Sequence, residues 1–181
     1  MKNPTLLKEM LHYRGRDEMP DDFDTFWNKQ VAEVEVPQDY QLLEKDFQIA
    51  YATCYELTFK SGNGGQIYAK LVVPKLSEKI PALFHFHGYM GQGWDWADML
   101  AYTAAGWGVV SMDVRGQSGY SLDGDREVRG NTVKGHIIRG ALDGPDQLFF
   151  KDVYLDVYTL VELVAGLDFV DENRLSSFGG S

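Results

Sequence analysis

Apolar and polar positions along the chain change rhythm twice. After a polar lead-in, Phe23, Phe26, Trp27 and Val31 recur at the spacing of one helix face behind Pro20 and Asp21-Asp22, and acidic residues in a first turn suit the helix dipole. The stretch predicts a packing helix. The rhythm then shortens: Leu43 to Ile49 reads as a strand, and so does Thr53 to Lys60, with Cys54, Glu56, Thr58 and Lys60 on one face and Tyr55, Leu57 and Phe59 on the other. The turn Ser61-Gly62-Asn63-Gly64-Gly65 leads into Gln66 to Val73, which predicts an antiparallel hairpin. Neither a helix nor a Lys-Ser/Thr pair follows those glycines, which argues against a phosphate loop.

From Ala82 the alternation gives way to continuous apolar runs. Leu83-Phe84-His85-Phe86 fits a strand buried on both faces, and it breaks at His87-Gly88-Tyr89. Trp96 to Ala105 predicts a helix, and Trp107 to Met112 a second buried strand ending in Asp113 and followed by Arg115-Gly116-Gln117. A polar, glycine-rich segment from Ser118 to Pro145 is longer than structureless connections usually are, and such loops usually carry function. Asp143 or Asp146 is placed to cap the next helix. Its stripe is Phe149, Val153, Val157, Leu160, Val161 and Val164, with Asp152, Asp156, Thr159 and Glu162 elsewhere on its surface. Gly166 ends that helix, and Arg174 to Phe178 predicts a third buried strand that delivers Ser181 at its carboxyl end. The expected order is a hairpin followed by β-α-β-α-β. Parallel units of this kind bind ligands beyond the carboxyl ends of their strands, where both the His87-Gly88-Tyr89 turn and Ser181 fall.

A length of 181 residues and 44% hydrophobic content are enough for one domain with a real core. The formal net charge of -10 argues against nucleic acid as a partner. The lone Cys54 forms no internal disulfide, and Lys2, Lys8 and Glu9 interrupt the place where a signal peptide has its apolar core. A cytoplasmic location is expected. No run approaches the roughly 18 apolar residues of a membrane span, so no membrane partner is expected.

Three constellations carry candidate chemistry. Gly179-Gly180-Ser181 is the first half of a G-x-S-x-G turn, in which a serine sits on a strained strand-to-helix corner and glycines make room for neighbouring backbone. A flexible tail has the same composition, and the strand before the serine favours the catalytic reading. His85 and His87, two apart on a strand, form an H-x-H pair that could hold a metal with Asp95 or Asp113 as further ligands. Arg115 and Gln117 could touch substrate, although an arginine with five donors more often ties down backbone and carboxylates. Trp94 and Trp96 are open to two roles, the wall of an acyl pocket or packing.

The His-Gly-Tyr at 87 to 89, the Arg-Gly-Gln at 115 to 117 and the Gly-Gly-Ser at 179 to 181, in that order and spacing, resemble carbohydrate esterase family 7, the acetyl xylan esterases and cephalosporin C deacetylases. Arg139-Gly140-Ala141-Leu142-Asp143 is similar as well. Gly144 and Leu148-Phe149-Phe150 depart from it, standing where many relatives have a tyrosine-rich stretch. The resemblance implies the N-terminal portion of an α/β-hydrolase fold. Residues 1–181 would be a single partial domain reaching the nucleophile elbow, with 1–40 a helical extension packed on it. It further implies that Ser181 is the nucleophile and that the backbone amide of Tyr89, rather than its ring, donates to the oxyanion; the alternative for Tyr89 is aromatic packing. The implied activity removes acetyl groups from small sugar esters, with no cofactor and no metal, in a homo-oligomer that relatives build as a hexamer. The triad aspartate and histidine would lie beyond Ser181, so the 181 residues alone are expected to be inactive. Two rival functions stand beside it: a metal-dependent hydrolase using His85 and His87, and a non-catalytic fragment or binding module.

Overall fold

A computed structural model describes residues 4–124 and 135–181. The chain divides into two compact units, Met1–Glu33 and Val34–Ser181. The first contains α1 (Pro4–His12) and α2 (Phe23–Ala32). The second helix is the one predicted from the Phe23, Phe26, Trp27 spacing, and edge-to-face contacts of Trp27 with Phe23 and Phe26 lie along it. The first helix falls in what reads as a polar lead-in. Its Leu6, Leu7, Met10 and Leu11 do follow a helical period, and all four are exposed.

The second unit is a six-stranded mixed sheet. Its strands are β1 (Gln41–Lys45), β2 (Ala52–Lys60), β3 (Gln66–Pro74), β4 (Ile80–Phe86), β5 (Gly108–Met112) and β6 (Val170–Gly179), in the spatial order β1-β2-β3-β5-β4-β6. The predicted hairpin is present, β2 and β3 running antiparallel from Ala52↔Pro74 to Lys60↔Gln66. The parallel part is present too, since β4 lies between β5 and β6 and runs parallel to both. Strand β1 stops at Lys45 instead of reaching Ile49, because Phe47 and Ile49 each donate their N–H two residues back, to Lys45 and Phe47, and curl the chain off the sheet.

Helix α3 (Trp96–Thr103) and helix α4 (Phe149–Ala165) supply the two layers that pack on the sheet. Leu57, Phe59, Ile67, Leu71, Phe84, Val110 and Met112 share one sheet face, and Phe149, Leu160 and Val164 of α4 pack on it as the main core. On the other face Cys54, Val72 and Val109 meet Met99 of α3. Each fully buried side chain of this size contributes about 1.5–3 kcal/mol by leaving water, so α4 is held mainly by its stripe.

Three expectations for α4 and β6 are corrected. Neither Asp143 nor Asp146 caps α4: a short 3₁₀ turn, Pro145–Gln147, intervenes, and the N-cap position falls on Leu148 with no side-chain cap bond. Asp156 and Thr159 are not on the helix surface but buried, Asp156 completely. Strand β6 is mostly exposed rather than buried, because among the described residues it pairs on one side only, with β4. Of the long Ser118 to Pro145 segment, residues 125–134 lie outside the described residues. The remainder is tied down by a two-way backbone bridge between Gln66 and Leu122 and by the turns His136–Ile138 and Pro145–Gln147.

Candidate active site

Because β4 and β6 are parallel neighbours in the register Phe86↔Gly179, their carboxyl ends finish side by side. His87-Gly88-Tyr89 and Gly180-Ser181 therefore leave the sheet together. A Cβ on Gly88 would lie 2.8 Å from the Gly180 carbonyl oxygen and 3.3 Å from Ser181 Cβ, so this approach needs a residue without a side chain. Gly179 is needed for the same reason, a Cβ there falling 2.8 Å from the Phe86 carbonyl oxygen. The steric argument fails at Gly180, where a Cβ would meet nothing within 4 Å. Ser181 is exposed at this corner.

The turn that faces the serine is clamped along its length. His87 bridges it: the ring Nδ1 bonds the Gly88 carbonyl at 2.8 Å, and Nε2 accepts the Val114 N–H at 2.9 Å. These two bonds require the proton on Nδ1 and a neutral ring. Met90 takes a left-handed conformation, φ 60°, rare for a side chain of its size. It is held there from both ends, its N–H donating to Gln117 Oε1 at 2.7 Å and its carbonyl accepting from Ser118 Oγ at 3.0 Å. Strain kept at one residue by surrounding bonds marks a shaped site. Gln117 thus holds the turn beyond Tyr89. The Tyr89 ring is part exposed and its hydroxyl accepts the Gly135 N–H.

Asp113, at the end of β5, collects the neighbouring loops. Its carboxylate accepts from Gly93 N–H at 2.6 Å and Tyr120 N–H at 2.9 Å, and its carbonyl accepts from Ser121 Oγ at 2.6 Å. Gly119, at φ 102°, has no room for a Cβ because the Asp113 carboxylate occupies that space. His85 is buried under Trp94, the rings stacked 4.0 Å apart, and its Nδ1 shares a hydrogen bond with Ser111 Oγ at 2.9 Å. Burial, with His87 adding to it, pushes the His85 pKa below its usual value, and Asp98 pulls the other way. Trp94 accordingly serves as packing, with Tyr102 and Phe178 also against it. Trp96 stacks edge-on to Phe47.

Arg115 is 1% exposed and is the largest fully buried side chain among the described residues. Its Nε and one terminal nitrogen reach the two oxygens of Asp156 at 2.6 and 2.5 Å, and that nitrogen also donates to the Gly62 carbonyl at 3.0 Å. A Cβ at Gly65 would collide with the guanidinium, which is one reason the hairpin turn is rich in glycine. Asp152 and Asp123 stand 3.8 and 3.9 Å from the remaining nitrogen, and Arg139 pairs with Asp123 at 2.6 Å. Burial opposes the charge on Arg115, but Asp156, then Asp152 and Asp123, more than offset it and hold its pKa above the ordinary value. Burial pushes the Asp156 carboxyl up to about 6, with the Arg115 hydrogen bonds pulling it back. Arg115 therefore ties the end of β5 to α4 and to the β2–β3 turn, the structural role favoured by its sequence context.

The metal reading of His85 and His87 meets a donor set already in use. Both His87 nitrogens are bonded, Asp113 spends its carboxylate on two backbone amides, and among the described residues no group of three His, Cys, Asp or Glu side chains could hold an ion. Sequence reasoning missed Asp156, the carboxylate that answers Arg115. Its only signal was an aspartate at the edge of an apolar stripe.

A family model for acetyl xylan esterases, AXE1, matches residues 1–181. Acetyl xylan esterase 1 from Thermoanaerobacterium sp. JW/SL YS485 is 43% identical with a TM-score of 0.87, over 97% of this chain and 55% of that one. Acetyl xylan esterase from Paenibacillus sp. R4 is 26% identical with a TM-score of 0.82, over 97% of this chain and 56% of that one. The chain thus spans about half the length of these enzymes.

Proposed function

Since the chain belongs to the acetyl xylan esterase family and has the α/β-hydrolase fold, we propose that the protein is a serine esterase that deacetylates small acetylated carbohydrates, with Ser181 as nucleophile. One observation carries the reading: the parallel pairing of β4 with β6 sets Gly88 against Ser181, so a serine hydroxyl and the backbone turn after β4 meet at one corner. In that arrangement Ser181 Oγ attacks the acetyl carbonyl, and charge grows on the carbonyl oxygen. The Tyr89 N–H, one residue on from Gly88, donates to that oxygen. Collapse of the tetrahedral intermediate breaks the bond to the sugar oxygen, which leaves as the alcohol once protonated. Water then releases acetate from the acetyl-serine.

The reaction needs a base to take the serine proton. His87 does not serve, because both its nitrogens hold the turn, and His85 is buried in a stack with Trp94. The 181 residues by themselves are therefore expected to hydrolyse a chromogenic acetyl ester orders of magnitude more slowly than a chain of the relatives' length. Equal rates would place a base within these residues. For the nucleophile itself, a serine-reactive phosphonate is expected to label Ser181 in the active, longer protein, and Ser181→Ala to abolish both labelling and hydrolysis. Labelling that survives the substitution removes Ser181 from the mechanism.

A further inference from the structure

Away from Ser181, one face of the β2–β3 hairpin carries a feature that the deacetylation chemistry does not use. Two clefts, with volumes of about 360 and 440 Å³, share Glu56, Tyr68 and Tyr120 as lining and so lie side by side as the two halves of a trough. Its floor is set by strand register: Gln66, Tyr68 and Lys70 alternate onto one face of β3, with Glu56 opposite Lys70 on β2. From Gln66 to Lys70 the floor runs about 13 Å, the reach of a short chain of rings rather than of one ring. Tyr120 forms a wall, 64% exposed and tilted over the buried Tyr68 at 5.1 Å. At the far end are Trp96 and the exposed Gln92.

All but one of the charges of the trough are paired. Glu56 pairs with Lys45 at 3.2 Å and accepts the Tyr68 hydroxyl at 3.0 Å. Lys70 pairs with Asp95 at 3.6 Å, donates to the Trp94 carbonyl at 2.8 Å and stands over the Trp96 ring. Asp113 is spent on two backbone amides. A lining with one carboxylate in excess disfavours an anion, and it presents donors and acceptors side by side, which suits hydroxyl groups that both give and take hydrogen bonds. The exposed tyrosine ring adds a flat apolar surface that C–H faces can cover.

We propose that this trough is an accessory site for a neutral saccharide chain, holding unsubstituted sugar units of the short oligosaccharide whose acetyl group is processed at Ser181. The role in turnover rests on the esterase reading; the binding itself does not. The test is calorimetric titration of Ser181→Ala protein with xylohexaose, which has no acetyl groups to cleave. Saturable binding is expected, with the Kd raised about tenfold by Tyr120→Ala, as loss of one stacked ring implies, and nearly unchanged by Tyr120→Phe. In the longer, active protein with Ser181 intact, Tyr120→Ala should leave hydrolysis of a small chromogenic acetyl ester unchanged. Should Tyr120→Ala fail to fold, Gln92→Ala at its exposed loop position carries the test, with about a threefold weaker Kd for one lost hydrogen bond. Absence of saturable xylohexaose binding, or binding that neither substitution weakens, overturns the trough. Failure of the esterase reading shows separately, as inactivity toward the small ester of a Ser181-intact chain of the relatives' length, while xylohexaose still binds.

Discussion

Arg115 and Asp156 show what a single residue decides here. With Arg115 1% exposed and Asp156 fully buried, each is acceptable only because the other is there. Removing one partner leaves an uncompensated buried charge, so Arg115→Met is expected to lower unfolding free energy by about 3–5 kcal/mol, whereas a double replacement by apolar residues should cost much less than twice that. A urea-unfolding cycle measures the difference, and additive losses would show that the pair is not coupled. Cys54 illustrates burial acting on a lone group. It is 1% exposed, and burial pushes its thiol pKa up. Since the thiolate is the reactive form, a thiol reagent such as Ellman's should leave the folded protein untouched and modify Cys54 only after denaturation. Rapid modification in the native state would mean that the β2 region opens readily.

At the scale of elements, α4 is held by its apolar stripe rather than by its start. Its N-cap position is Leu148, which supplies no side-chain acceptor, while Phe149, Leu160 and Val164 are fully buried. Leu160→Ala is accordingly expected to cost about 2–5 kcal/mol, and Asp146→Ala, at the residue that sequence reasoning makes a cap, clearly less. Thermal unfolding of the two variants separates them; a large loss at Asp146 would restore it as a capping residue. The β4–β6 pair works differently, since its value is positional. Any side chain at Gly88 must push against Gly180 and Ser181, so in the longer, active protein Gly88→Ala should cut ester hydrolysis far more than it lowers the unfolding midpoint.

For the whole molecule, the buried charges set how stability depends on pH. Burial works against ionisation of Asp123, but Arg139, then Arg115 and His136, hold its carboxyl below the usual range. A lowered folded-state pKa contributes stability that is fully present above the ordinary carboxylate value, about 3.9, and is lost as pH falls through the folded value. Asp156 has the opposite sign. Raised to about 6, it favours the folded state most below the unfolded value and loses that contribution as pH rises toward 6 and past it. Urea midpoints between pH 3 and 7 should therefore respond to Asp123→Asn at the acid end and to Asp156→Asn in the middle. A flat difference across the range for both would remove these groups from the pH dependence. Among the described residues no helix is long and apolar enough to cross a membrane.

The pattern of apolar positions was sufficient for the hairpin, the two buried strands β4 and β5, both sheet-covering helices and the place of Ser181 at a strand end. Each of these is set by local periodicity and by glycines at breaks, which a chain carries whatever it packs against. The Arg-Gly-Gln stretch also pointed to a tethering arginine, although not to its partner. Tertiary structure alone decided the rest. Asp156 is buried because Arg115 arrives from 41 residues away, and a helical wheel cannot register a partner on another element. Strand β6 reads as buried from its place in the β-α-β-α-β order, whereas exposure depends on how many neighbours the sheet provides, and among the described residues only β4 pairs with it. The approach of Gly88 to Ser181, and the trough between Tyr68 and Tyr120, exist only once β3, β4, β5 and β6 are ordered side by side. Their distances are properties of strand register, which no single stretch of sequence contains.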